Sequence, residues 1–243
     1  MKTAAIVIIG DEILSGKIKD TNSYYLAGEL RALGVNVKSI SVIPDDVDVI
    51  AKEVSSTSKK YNYVFTSGGI GPTHDDLTIE GIAKGFGLKT HRNNHIVRLI
   101  KSRCRGRALE NSVLKMAYLP EGTEVIKEKG MGFPVLVLKN IFIFPGIPRF
   151  LRRKFSLIKD RFRSLKPFHL KNLYVNDEEC FIAPHLERIV SGFPDVSIGS
   201  YPDVEASGYK VKITLESKNR KSLLQAYRSL LKILPHEIVV NEH

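Results

Sequence analysis

The run Ala4–Ile9 constrains this chain more than any other segment. All six residues are apolar, without alternation, and Gly10 ends the run. A strand with one wet face alternates polar and apolar residues. A continuous run marks a strand buried on both faces, as in a parallel sheet covered by helices. The segments that follow agree. Thr21–Leu33 carries apolar residues at helical spacing and stops at Gly34, a glycine just past a helix end. Val35–Ile43 alternates as a strand, and Asp46–Lys60 is a helix with an acidic first turn. Tyr63–Thr66 is a short buried strand and Leu77–Phe86 a helix. This β-α-β-α-β-α order predicts a parallel sheet with right-handed crossovers and helices on both faces. Asn94–Cys104 continues as helix, and Phe133–Phe144 reads as a hairpin turning at Lys139-Asn140. The turn Pro145-Gly146-Ile147-Pro148 then opens a basic helix.

The remainder changes character. Leu170–Val175, Ile182–Val190, Val196–Tyr201, Tyr209–Ser217, Ser222–Leu234 and Glu237–Val240 read as β-α-β-β-α-β, a split βαβ unit. The boundary is expected between Ser164 and Phe168, where Pro167 interrupts the basic helix. The expected fold class is therefore α/β, a three-layer and mostly parallel domain over residues 1–165, with a small α+β domain over 166–243.

Composition narrows the function classes. Hydrophobic residues are 43% of the 243, enough for a core without staples. Two cysteines, Cys104 and Cys180, exclude a disulfide scaffold and a four-cysteine zinc site. No apolar run approaches the length of a membrane span, and the N-terminus lacks the pattern of a signal peptide, so a cytoplasmic protein without a membrane partner is expected. The net charge is +11, all of it carried before residue 166. Arg98–Arg107 holds five basic residues and no acid, and Arg149–Arg163 holds seven with one Asp. Such stretches are either surfaces for anionic partners or solvated helix faces. No zinc finger, aromatic RNA-binding motif or helix-turn-helix accompanies them, so nucleic acid is not the expected partner.

The chemistry concentrates in Thr66–Thr78, TSGGIGPTHDDLT. It follows a predicted strand and precedes a helix. Gly68, Gly69 and Gly71 permit a sharp turn that exposes amides, and the next helix N-terminus adds positive potential, the makings of an anion site. Ser67, Thr73 and Thr78 add hydroxyls. It is neither a Walker A loop nor a dinucleotide fingerprint. Asp75 and Asp76 beside a phosphate site are explained by a divalent metal, which takes a few carboxylates plus phosphate oxygens; the alternative is a helix cap on a tight turn. Gly10, Asp11 and Glu12 end the first strand, and Pro44-Asp45-Asp46 ends the second. Open α/β sheets bind ligands outside these carboxyl ends. Asp20 and Asp45 are alternatively helix N-caps. His74 is either a ligand beside the acids or solvent-facing, and Lys17 or Lys19 could assist a leaving phosphate.

These motifs resemble a known family. IIGDEILSGKIKDTN, VIPDD and TSGGIGPTHDDLT, with Asn111, Leu119-Pro120-Glu121-Gly122, FPGIP and Gly199-Ser200-Tyr201-Pro202, match in order and spacing across almost the whole chain. The chain resembles the molybdopterin-binding (MoCF biosynthesis) fold. Within it, the chain is similar to the branch of the CinA N-terminal region and of the molybdopterin-binding-like domain of eukaryotic FAD synthases. The resemblance implies a pocket at the glycine loop, with Gly146 of FPGIP at its edge. Asp76 matches the catalytic aspartate of the molybdopterin enzymes, and Asp45 the acid after their second strand. Asp75 stands where those enzymes carry Arg, which turns the expectation away from their adenylyl transfer. The resemblance implies metal-dependent hydrolysis of a nucleotide diphosphate link, as in ADP-ribose or FAD. Asp76, Asp75 and Asp11 would hold the Mg²⁺, Mn²⁺ or Co²⁺, and Asp45 would join Asp75 and Asp76 in catalysis. Alternatives are a pterin-nucleotide binding or adenylyl-transfer protein and a non-catalytic assembly module. By analogy with the fold, a homodimer is expected.

Overall fold

The structure, a computed structural model, describes residues 2–103, 110–129, 132–203, 205–206 and 208–242. Cys104 and the end of the Arg98–Arg107 stretch lie outside them. The chain divides into two compact units, Met1–Ser164 and Leu165–His243.

The first unit runs β1 (Thr3–Ile9), α1 (Asp11–Leu14), α2 (Asn22–Ala32), β2 (Asn36–Ile43), α3 (Val47–Lys60), β3 (Tyr63–Ser67) and α4 (Thr78–Gly85). It continues through β4 (Thr90–Arg92), α5 (Asn94–Arg103), α6 (Asn111–Lys115), β5 (Tyr118–Pro120) and β6 (Glu124–Ile126). The hairpin β7 (Val135–Leu138) and β8 (Ile141–Phe144) leads to α7 (Pro148–Ile158). Six strands form one sheet in the order β2-β1-β3-β8-β7-β6. The first four are mutually parallel, and β7 and β6 add an antiparallel edge.

The apolar run of β1 is buried on both faces. Ala4, Ile6 and Ile8 join one core with Leu26 and Leu30 of α2 and Leu151 and Phe155 of α7. Val7 and Ile9 join a second core with Ile50 and Val54 of α3 and Ile82 of α4. The first core is rich in aromatics. The Phe65 ring lies 5.0 Å from Phe162 and 5.5 Å from Phe142, centroid to centroid. The hairpin turns where expected, with Lys139 left-handed at φ 54°.

The basic helix is shorter than expected. It ends at Ile158, and a 3₁₀ turn over Lys159–Phe162 carries Phe162 into the aromatic core, fully buried. Burial of Phe162, not Pro167, thus ends the helix.

The second unit runs β9 (His169–Val175), α8 (Glu179–Gly192), β10 (Ser197–Pro202), β11 (Val211–Ser217), α9 (Arg220–Ile233) and β12 (Val239–Glu242). Its antiparallel sheet has the order β10-β11-β9-β12, the split βαβ arrangement read from the sequence. Among the described residues, no helix is long and apolar enough to cross a membrane.

Candidate functional site

The parallel neighbours β2, β1, β3 and β8 bring four carboxyl ends to one rim. After β1, Gly10 leads straight into α1 and leaves Asp11 and Glu12 exposed. After β2 comes Asp45, whose Oδ2 accepts the Asp11 N–H at 3.0 Å. Asp45 is not the helix cap. Asp46 takes that role, accepting from the Asp48 and Val49 amides at 2.8 and 2.9 Å. Asp45 is therefore left to the rim. Its carboxyl is pushed above the ordinary range by burial, with the charges of Asp11, Glu12 and Asp75 adding to the effect against the Asp11 amide bond. Asp20 does act at a helix start, accepting from the Asn22 and Ser23 amides at 2.8 and 3.1 Å.

The loop after β3 depends on glycine. Gly68 and Gly69 have φ of 111° and 60°, and a Cβ on Gly68 would collide with the Ile9 carbonyl. The Gly68 N–H is bonded to the Phe144 carbonyl at 3.2 Å, so it helps hold the sheet end together rather than facing a ligand. Among the described residues, the amides of Gly69, Ile70 and Gly71 have no hydrogen-bond partner. Ser67 and Thr78 are buried, and both hydroxyls bond the backbone of the site's own loops. Ser67 donates to the Pro145 carbonyl at 3.3 Å and Thr78 to the Gly68 carbonyl at 2.9 Å. They shape the loops from behind.

The Asp76 carboxylate caps no helix. Its Oδ2 accepts from the Thr73 amide at 2.8 Å and from the Thr73 hydroxyl. Thr73 serves the neighbouring acid as well: its hydrogen bonding is the main cause holding the Asp75 carboxyl below the usual range, and His74 and Lys115 add to it. His74 is almost wholly exposed, 4.0 Å from Asp75. Lys115 donates to the Thr73 carbonyl at 3.3 Å.

Above the loop lies a cavity of about 660 Å³, a size ordinary for small-molecule sites. Glu12, Gly68, Gly69, Gly71, Asp76 and Gly146 line it, as the sequence led one to expect. Asp11, Asp45, Asp75 and Thr73 sit on the adjoining rim, outside the lining, and Lys17 does not reach it. Gly10 contributes closeness, since a Cβ there would meet the Glu12 carboxylate at 2.6 Å.

The rest of the wall was foreseen only in part, through Arg153 and Lys154 of the basic Arg149–Arg163 stretch. Met116, Phe133, Phe150, Arg153 and Lys154 supply it. Lys154 is only 5% exposed and donates to the carbonyls of Phe133 and of Pro134, the latter at 2.8 Å, so α7 holds the start of the hairpin against the cavity. A signal existed: Lys154 falls on the apolar stripe of α7, with Leu151, Phe155 and Ile158.

The donor set offers the expected metal few ligands. Among the described residues, no group of three or more His, Cys, Asp or Glu is arranged to hold an ion. A preformed protein cage is thus absent there. The set fits instead an ion arriving on a diphosphate, which needs one or two protein carboxylates.

Amides without partners, carboxylates and a ligand-sized cavity at the carboxyl rim of parallel strands define an open α/β ligand-binding protein. Comparison with known proteins narrows this. The chain belongs to the molybdopterin-binding family: residues 5–164 match the domain described as "Probable molybdopterin binding domain", and residues 167–243 match "FAD synthase, middle domain". A "Probable FAD synthase" of Caenorhabditis elegans is 36% identical over 98% of this chain and 51% of that protein. The chain thus spans about half the length of the FAD synthases it matches. A "CinA-like protein" of Thermotoga maritima is 29% identical over 95% of this chain and 58% of its own length. The crystal structure of the protein CinA, of unknown function, from Thermoplasma acidophilum superposes with a TM-score of 0.62 at 29% identity. It covers 66% of this chain and 98% of that one.

Proposed function

We propose that the site hydrolyses a nucleotide diphosphate linkage of the ADP-ribose or FAD kind with a divalent metal. The observation that carries the reading is that the Gly69–Gly71 amides, without partners among the described residues, and the Asp76 carboxylate face one cavity from the same loop. The amides would take the negative charge that grows on a phosphoryl oxygen. Glu12 and Asp76 stand at the cavity to accept a proton from water. Asp76 at the cavity, with one carboxylate of the rim, Asp75 or Asp11, would hold Mg²⁺, Mn²⁺ or Co²⁺ arriving on the diphosphate. The ion would supply charge neutralisation and a more acidic bound water. Asp45 would act with Asp75 and Asp76 in catalysis. The apolar wall of Phe133 and Phe150 suits the flat ring of a base or flavin.

A second reading is transfer, in which another phosphate takes the place of water. The match to the middle domain of FAD synthases favours it. Both readings expect a homodimer, whose mass light scattering would give.

The test is AMP release from ADP-ribose, FAD, NAD and Ap4A with each of the three metals. Release that disappears in Asp76→Asn, with unchanged folding, supports hydrolysis. Wild-type rates from that variant would sink the assignment. No turnover together with tight nucleotide or pterin binding would move the reading to binding or transfer.

A further inference from the structure

Asn22, the last residue of the GDEILSGKIKDTN segment, has no part in the site so far. It opens α2 and is only 6% exposed. Its Nδ2 donates to the Ser67 hydroxyl at 3.0 Å and to the Gly146 carbonyl at 2.6 Å. Two acceptors on one side fix the amide, so the other atom is the carbonyl oxygen. That Oδ1 is completely buried and has no hydrogen-bond partner in the protein. A buried acceptor left unmade costs about 1–3 kcal/mol, which a bound water would recover.

Asn22 also lines a chamber of about 60 Å³, together with Glu12, Asp20, Ser67 and Gly146. Glu12, Ile18, Gly146 and Pro148 line the main cavity as well, so the chamber adjoins it. The chamber has room for a few ordered waters. A water is an O–H donor that fits it.

We infer that Asn22 is a positioning residue for the hydrolytic water. This rests on the hydrolysis proposed above. The water donates one O–H to Asn22 Oδ1, which fixes its orientation beside Gly146, next to the glycine loop. Its oxygen forms the new bond to phosphorus while the bridging P–O bond breaks. The leaving phosphoryl group departs with that electron pair, and the proton released by the water passes to Glu12, which lines both the chamber and the main cavity. Asn22 is unchanged through the step. The two Nδ2 bonds hold the orienting oxygen in register with the ends of β3 and β8, which also carry the loop.

Two measurements test this. A high-resolution crystal structure of the ligand-free protein should show an ordered water within hydrogen-bond distance of Asn22 Oδ1. A chamber without one, or an Oδ1 bonded to a protein donor, overturns the inference. In Asn22→Ala, kcat for the panel substrate should fall about 10- to 100-fold with KM within about twofold of wild type. An unchanged kcat overturns the inference, as does a raised KM at unchanged kcat, which would mean contact with a substrate hydroxyl. If Asn22→Ala does not fold, the crystal structure decides alone. If the wild type hydrolyses nothing, the proposed function fails, and the crystal structure still decides whether Asn22 holds a water.

Discussion

Gly71→Ala separates the site from the fold. Gly71 is not among the residues with positive φ, so its backbone accepts a side chain. The added Cβ, however, would sit 2.5 Å from Asp76 Oδ2 and 3.1 Å from its Cγ. Ordinary contact begins near 3.4 Å, so the carboxylate must retreat by about 1 Å. The retreat breaks its two bonds to Thr73, which together contribute about 1 kcal/mol at this exposed position. Alanine offsets roughly 0.4–1 kcal/mol of that by restricting the unfolded chain. The melting temperature should therefore stay within about 2 °C of wild type. Activity should not stay: a 1 Å misplacement of a reacting group costs about 100-fold in rate. The assay is AMP release beside a thermal melt of the same sample. Wild-type turnover at a wild-type melting temperature would refute the placement of Asp76 at the reacting centre. Gly68→Ala is the contrast, since φ of 111° and the Ile9 carbonyl leave a Cβ no room, and the variant should melt well below wild type or fail to fold.

Other perturbations read other parts of the argument. Asp45 titrates above its ordinary value of 3.8 when folded, so the folded protein binds the extra proton and loses stability as pH rises through that raised value. Asp45→Asn should melt higher than wild type at pH 7, with the gap closing near pH 4; an equal gap at both pH values would show that burial and the neighbouring acids do not raise the carboxyl. Lys154→Met leaves the Phe133 and Pro134 carbonyls without their donor and relieves a buried charge, for a net loss of roughly 1–3 kcal/mol in urea unfolding. A variant as stable as wild type would show that the ammonium does not hold the wall. Phe65→Ala empties the centre of the aromatic core and should cost about 3–5 kcal/mol in the same measurement.

What was legible in the sequence followed from burial. Ala4–Ile9 declares its two buried faces because no residue in it could tolerate water. The second unit declared itself through alternation, as in Val211–Ser217, whose Val211, Ile213 and Leu215 are buried in turn. The elements that went unread are those too short to carry a period: β4, β5 and β6 have three residues each, α1 is a single turn and α6 has five residues. Neighbouring acids were likewise indistinguishable. Asp45 and Asp46 are both fit to cap a helix, and only the path of the chain out of β2 assigns the cap to Asp46 and the rim to Asp45. The apolar part of the cavity wall was invisible for a different reason. Phe133 and Phe150 join the lining through the packing of α7 on the sheet, and no local spacing encodes that meeting.

The charge of the first unit and the charge of its site have opposite signs, and the opposition is informative. The basic excess raises the concentration of anionic ligands around the whole unit. At the rim, burial raises the Asp45 carboxyl and the charges of Asp11, Glu12 and Asp75 add to the effect; the same acids would repel a bare phosphate. A protein that merely stored phosphate would gain by replacing them. Acids beside amides without partners suit the ligand proposed above, which would bring both signs: phosphate oxygens for the loop and a cation for the carboxylates. The raised Asp45 carboxyl accords with the ligand proposed above, because a cation beside it would lower it again.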